Sequence, residues 1–174
     1  MSEIKKYLET KPQLTREVVC FLIDKDKVIL GLRKKVSWGL GANLITGIGG
    51  KVGDVKGLGN ETDEEALTRE VQEEVGVKIT SYKKVGEITF LFPNKPKWNQ
   101  FVLAYIINAW QGELKETEAI KPMSFQINDL PQSQMWDDNQ YWVPLLLAGK
   151  KVRAVFLYGE DNRSVLEKSV SEIG

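Results

Sequence analysis

The sequence predicts an α/β domain in which many strands are sandwiched with two widely separated helices. Three observations lead there. β-branched and aromatic runs recur along the chain, among them "REVVCFLI", "EITFLF" and "FVLAYIINAW". Helical patterning is confined to "NETDEEALTREVQEEVG" and to a stretch beyond "QSQMW". Most strands also follow one another with no helix between them, which sets the chain apart from a Rossmann alternation. A length of 174 residues fits one domain with a single core. The expected domain is 1–174, with 1–14 as an N-terminal extension.

"REVVCFLIDKDKVILGLRKK" reads as a hairpin: a β-branched strand, an Asp24-Lys25-Asp26 turn and a returning strand. "SWGLGANLITGIGGKVGDVKGLGN" holds eight glycines in 24 residues and must be tight turns and loops, with a short extended piece at "NLITGIGG". The helix that follows is marked at both ends. Asn60 or Thr62 caps its start, acidic residues fill the first turn, and Gly76 stops it. Strands are expected at Val77–Ile79, Lys84–Phe92, Phe101–Trp110 and Met123–Gln126, with Pro93 and Pro96 marking a turn between two of them. A second helix begins near Asp138–Val143, and "VRAVFLYGED" and "SVLEKSVSEI" close the chain as two strands. There is no internal repeat and no low-complexity segment.

Composition narrows the chemistry. Lys plus Arg and Asp plus Glu number 24 each, so no overall charge draws the chain to nucleic acid or to an anionic membrane. The longest apolar runs are too short to cross a bilayer. "MSEIKKYLETKPQ" lacks an apolar signal core, so a cytoplasmic protein is expected, acting as a monomer. The single cysteine, Cys20, lies within "VVCFLI" and reads as a buried structural thiol. Histidine is absent. Catalysis by Ser-His-Asp or Cys-His systems and His-bound zinc are thereby removed, which leaves carboxylates or an activated water to do any chemistry.

The carboxylates are concentrated in "REVQEEVGV", Arg69 to Val77. At about 100° per residue, Leu67, Val71 and Val75 form one apolar stripe. Glu70, Glu73 and Glu74 share a neighbouring arc of roughly 100°, close enough to reach one point and to repel one another. Such a trio is either a solvated helix face or a cation site. Arg69 beside it and the glycine-rich "GIGGKV" upstream, where bare backbone approaches a ligand closely, favour the cation site. Hard oxygen donors suit Mg²⁺, or Mn²⁺, and Mg²⁺ held by a few carboxylates commonly bridges to phosphate. Phosphoanhydride chemistry is the natural expectation.

"ETDEEALTREVQEEVGV" resembles the Nudix box, G-x5-E-x7-R-E-U-x-E-E-x-G-U with U aliphatic. Glu61 supplies the first glutamate, and Arg69, Glu70, Val71, Glu73, Glu74, Gly76 and Val77 fill the rest in register. One departure is plain: ten residues separate Gly50 from Glu61 instead of five, an insertion within Gly53–Asn60 that leaves the helix untouched. The resemblance implies a Nudix α/β/α sandwich with a mixed sheet. It also implies a divalent cation and hydrolysis of a nucleoside diphosphate linked to another moiety.

The similarity runs from about Val18 to Ile173. "GLGANLITGIGGKV", "MWDDNQYWVPLLL" and "AVFLYGED" look like the oxidised purine nucleoside triphosphatase branch of the MutT homologues. By this resemblance Trp136 stacks on the purine, and the acidic pair that reads its edge maps onto Asp138 and Asn139. The second acid is therefore an amide, which both donates and accepts. Asp137 stands at the branch's proline, so Asp137 and Asp138 are an alternative pair. The pocket asparagine maps onto Thr46 and the pocket phenylalanine onto Leu40. Trp142 and Pro144 read as structural.

The resemblance further implies that Glu70, Glu73, Glu74 and the carbonyl of Gly50 hold Mg²⁺ (Mn²⁺ as the substitute). Glu74, or Glu73 beside it, is the base for the attacking water. Arg69 orients Glu70 and Glu73, and Glu61 anchors the loop. Lys51 either stabilises phosphate or is a surface lysine, and Lys56, inside the insertion, reads first as a solvated lysine and second as a phosphate contact. A distant glutamate, Glu116 or Glu118, could add a ligand, although Ala119 is the position that aligns. The expected reaction converts modified purine nucleoside triphosphates to monophosphate and pyrophosphate. Two alternatives remain: a Nudix hydrolase of a dinucleoside polyphosphate, a capped RNA end or ADP-ribose, for which Pro93 is the hint, and a non-catalytic nucleotide-binding Nudix domain.

Overall fold

Alternating burial along the first strand shows how the domain is layered. Val18, Cys20 and Leu22 point to one core and Phe21 to another, each at most 2% exposed, as the two-residue period of a strand buried on both faces requires. The computed structural model describes residues 1–34, 43–53 and 59–174. The elements are α1 (Glu3–Glu9), β1 (Thr15–Asp24), β2 (Lys27–Arg33), β3 (Ile45–Thr46), β4 (Ile48–Lys51), α2 (Asp63–Val75), β5 (Lys78–Leu91), β6 (Gln100–Gln111), β7 (Ile120–Gln126), α3 (Asn139–Leu147), β8 (Lys151–Tyr158) and β9 (Val165–Ile173).

The sheet is mixed. Its main path runs β3-β2-β1-β6-β5-β8-β9, with β7 beside β2 and β4 beside β1. β1 lies parallel to β6 and β5 parallel to β8, while the other pairings are antiparallel. β1 and β2 pair only near their turn, Leu22 to Asp24 against Lys27 to Ile29. Further back, Glu17 to Cys20 pair instead with β4. The sheet forks there, and the fork opens the space in which the site lies.

α2 packs its stripe of Leu67, Val71 and Val75, all 0% exposed, against Cys20, Leu103, Tyr105 and Ile107. Each such side chain contributes about 1.5–3 kcal/mol by leaving water. Thr62, not Asn60, caps the helix: its hydroxyl accepts from the Glu65 amide while the Glu65 carboxylate accepts from the Thr62 amide. Gly76 ends it at φ 75°, the left-handed region. On the opposite face α3 buries Trp142, Val143 and Leu146 against β8 and Phe21. The α/β/α sandwich with a mixed sheet is therefore the observed fold.

Three expectations change. The N-terminal extension contains a helix, α1, whose Ile4 packs on Leu91 and Leu157. At seven residues it is too short to show a periodic signal in sequence. The strands expected at Val77–Ile79 and Lys84–Phe92 are one strand, β5, which absorbs the polar "SYKK" through bulges between Ile79 and Gly86. β7 begins three residues earlier than expected, at Ile120. Cys20 is fully buried, as expected, and burial pushes its thiol well up. Among the described residues no helix is long and apolar enough to cross a membrane.

Candidate active site

The charged face of α2 is divided by its neighbours. Glu70 and Glu74 are each 8% exposed, whereas the Glu73 side chain is 56% exposed. Glu74 is enclosed by β2 and β4. It accepts from Arg33 Nη1 at 3.1 Å and from the Gly49 amide at 3.2 Å. Burial pushes its carboxyl up to about 7, against the downward pull of Arg33. Glu70 is raised for the same reason, with Arg69 opposing. Its carboxylate fills the hollow left by a missing side chain, since a Cβ on Gly50 would stand 2.5 Å from Glu70 Oε1. That position requires glycine because the carboxylate occupies the space.

Arg69 is the hub of the helix. Its Nε donates to Glu61 at 2.6 Å, its Nη1 to Glu70 at 2.9 Å and to Glu73 at 3.3 Å, and its Nη2 to the Lys51 carbonyl at 3.0 Å. Glu61, with a side chain only 2% exposed, also accepts from the Gly53 amide at 2.7 Å. The hydrogen bonds of Arg69 hold Glu61 below the ordinary carboxylate range. One guanidinium thus ties the loop before α2, the end of β4 and two helix carboxylates into a single piece.

A cavity of about 450 Å³ runs from these carboxylates through the fork of the sheet. Glu70, Glu74, Gly50 and Lys51 line one end, and Arg33 and Thr46 also border the cavity. The other end is aromatic, walled by Phe92, Trp98, Trp136, Trp142 and Tyr158, with Asp138 and Asn139 among them. Phe92 stacks on Tyr158 at 4.4 Å and 11°, and Trp136 meets both rings edge-on. Asp138, 2% exposed, accepts from Tyr158 Oη, from Trp142 Nε1 at 2.6 Å and from Asn139 Nδ2 at 2.9 Å. Burial still raises it, to about 6. Its carboxylate is committed to three internal donors, and it fixes which way the Asn139 amide faces.

The structure thus gathers Glu70, Glu74, Gly50, Lys51, Thr46, Trp136, Asp138 and Asn139 on one cavity. Glu73 does not line it, and among the described residues no three acidic or cysteine side chains converge as a ready-made cation site. The reason is geometric: Glu73 sits about 100° from Glu74 around α2 and is drawn outward to Arg69. Asp137 turns away, accepting from Gln140 Nε2 and from the Val165 amide at 2.7 Å. Glu116 is paired with Lys34 at 2.5 Å, and neither Glu116 nor Glu118 lines this cavity. Pro93 does not line it either. The expectations for Leu40 and Lys56 lie outside the described residues.

Arg33, Phe92, Trp98 and Tyr158 escaped the sequence reading. Arg33 is one of three cations in "RKK", and nothing in the sequence marks it as the one turned inward. Tyr158 carried a signal: it continues the alternation of Val152, Ala154 and Phe156, all at most 2% exposed on the face beneath α3.

Fold and site together define an α/β/α domain that presents buried carboxylates from one capped helix to a single elongated cavity. The chain belongs to the Nudix family, whose domain model, described as NUDIX domain, matches residues 13–146. The oxidized purine nucleoside triphosphate hydrolase of Mus musculus is 33% identical over 152 residues, covering 87% of this chain and 91% of that protein. Its counterpart from Danio rerio is 31% identical over 154 residues, again covering 87% and 91%. Among solved structures, the MutT protein from Bacillus halodurans shares the fold with a TM-score of 0.72 at 19% identity, covering 90% of this chain and 97% of that one.

Proposed function

We propose that this chain hydrolyses purine nucleoside triphosphates with a modified base, releasing nucleoside monophosphate and pyrophosphate, and so sanitises the nucleotide pool. One observation carries this reading: a single cavity joins buried carboxylates at one end to an aromatic, amide-bearing wall at the other. The aromatic wall suits a purine and the carboxylate end a metal-bound triphosphate. We place the activity in the cytoplasm and assign it to the monomer. The oxidised-purine activity in the names of the mouse and zebrafish relatives agrees with it.

The donor set fits a divalent cation. Glu70 in the Gly50 hollow and Glu74 behind the Gly49 amide offer only hard oxygens, to which the Gly50 carbonyl can be added, and Glu73 joins them by turning inward from Arg69. These residues would hold Mg²⁺, with Mn²⁺ as the substitute, and the cation supplies neutralisation of phosphate oxygens and acidification of water. Glu74 takes the proton from the attacking water. The water oxygen bonds to phosphorus, the anhydride bond breaks, and pyrophosphate leaves with the electron pair. Arg69 holds Glu70 in place, and Arg33 and Lys51 face the phosphates. Trp136 stacks on the purine. With Nδ2 committed to Asp138, Asn139 presents Oδ1 to an N–H on the edge of the base, and Thr46 borders the same space.

A panel of dGTP, 8-oxo-dGTP, 2-hydroxy-dATP, ADP-ribose and a diadenosine polyphosphate, assayed with Mg²⁺, tests the proposal. The expected result is preference for a modified purine triphosphate, with monophosphate and pyrophosphate as products. Turnover of ADP-ribose or the dinucleotide alone would refute it.

Two adjacent glycines separate chemistry from stability. In Gly50→Ala the atoms nearest the new methyl belong to the movable Glu70 carboxylate, so turnover falls at least about tenfold while Tm drops by no more than about 3 °C. In Gly49→Ala the methyl meets the Val18 carbonyl at 1.9 Å, where backbone must give. That variant loses about 3 kcal/mol or more, read as a Tm drop of about 6 °C or more. Equal thermal losses in both would contradict this account of the two positions.

A further inference from the structure

The turn joining β5 to β6 supplies two aromatic rings of the cavity wall, Phe92 at its start and Trp98 near its end. The rings meet edge-on at 5.5 Å, and Phe92 is the ring that stacks on Tyr158. What holds this turn is Asn99, which is 1% exposed. Its Oδ1 accepts from the Phe92 amide at 2.7 Å, so the two ends of the turn are stapled by one side chain. Its backbone carbonyl accepts from the Thr15 amide at 2.8 Å. Its Nδ2 donates outward, to Tyr7 Oη on α1 at 3.0 Å.

α1 is itself fixed from elsewhere. Ile4 packs on Leu91 and Leu157, and the Ile4 amide donates to Glu167 of β9 at 3.0 Å. A continuous path therefore runs from the N-terminal helix through Tyr7 and Asn99 to Phe92, and from Phe92 to Tyr158 and Asp138. None of the α1 residues lines the cavity. The amide of Asn99 is oriented by these two bonds together: with Oδ1 toward Phe92, Nδ2 must have an acceptor, and in this buried setting Tyr7 is it.

We propose that Tyr7, acting through Asn99, is a positioning residue for the aromatic wall and thereby sets nucleotide affinity without entering the chemical step. The inference rests on the base-binding role proposed above for that wall. Loss of the Tyr7 hydroxyl leaves Asn99 Nδ2 buried without its acceptor, and the staple on Phe92 loosens. The carboxylate end, built on α2 and β4, is not on this path.

Tyr7→Phe keeps the ring and removes only the acceptor. KM for the preferred nucleoside triphosphate is expected to rise about three- to tenfold, the equivalent of one lost hydrogen bond, with kcat within about twofold of wild type. Affinity for the nucleoside monophosphate, titrated by tryptophan fluorescence, falls by the same factor. Amide hydrogen exchange across Phe92–Gln100 accelerates in the absence of any nucleotide. Leu8→Ala, on the exposed side of the same helix, changes none of these. A Tyr7→Phe variant with lower Tm but unchanged KM and unchanged exchange would reduce Tyr7 to a simple anchor and overturn the proposal. So would a fall in kcat at constant KM. If wild type binds no nucleotide of the panel, the functional reading has failed, and exchange across Phe92–Gln100 alone decides: acceleration upholds the positioning role, and no change removes it.

Discussion

Glu74→Gln is expected to lower kcat by about a thousandfold while nucleotide binding stays within about threefold of wild type. The amide is the same size as the carboxylate and its oxygen still accepts from the Gly49 amide, although its NH2 then faces Arg33 Nη1 and the bond from Arg33 is lost. It cannot take a proton from water. Glu73→Gln is the companion measurement. Its side chain is more than half exposed and held only at 3.3 Å by Arg69, so its replacement should cost far less. A larger loss at Glu73 than at Glu74 would exchange their roles. No loss at either would identify a nucleotide-binding module in place of an enzyme.

Asp138→Ala is expected to be the most destabilising single change at the base end. It strips three buried donors, Tyr158 Oη, Trp142 Nε1 and Asn139 Nδ2, of their shared acceptor. At about 1–3 kcal/mol for each orphaned group, and with incomplete additivity, the loss is about 4 kcal/mol and the fall in Tm about 10 °C or more. Asp138→Asn is milder and separates charge from shape. Burial raises the folded pKa of Asp138 to about 6, above the unfolded value of roughly 4. Between those pH values the folded protein keeps a proton that the unfolded chain has released. Its contribution to stability is complete below about pH 4 and is lost as pH rises through 6, by up to about 3 kcal/mol. Denaturant unfolding of wild type minus Asp138→Asn should therefore decline across that window. A difference that stays flat from pH 4 to 7 would show that the carboxyl titrates normally.

Much of this was legible in the sequence, for physical reasons specific to each element. α2 announced itself because capping box, apolar stripe and stop glycine all obey local rules, and its carboxylates lie on the faces that its period predicts. Trp136, Asp138 and Asn139 are placed by the resemblance of "MWDDNQYWVPLLL" alone, since without it Trp136 reads as ordinary core packing. Arg33 could not be placed, since its partners Thr46, Gly49 and Glu74 are 13, 16 and 41 residues away and only the fold assembles them. α1 was illegible for a related reason: its helix is too short to persist alone, and what fixes it includes Glu167, 163 residues distant. The continuity of β5 was hidden by "SYKK", whose polar side chains are tolerated because that part of the strand faces solvent.

Arg33 also constrains how such a protein can diverge. Its guanidinium donates at once to the Thr46 hydroxyl at 3.1 Å, beside the space assigned to the base, and to Glu74 at 3.1 Å. On the base-binding role proposed above for Thr46, the residue that tunes which base is admitted is linked through Arg33 to the group assigned to the chemistry. A lineage altering residue 46 to accept a new nucleotide shifts Arg33, and with it the charge beside Glu74. Selectivity and speed are not independent variables at this position, so a switch of substrate there calls for a compensating change at residue 33.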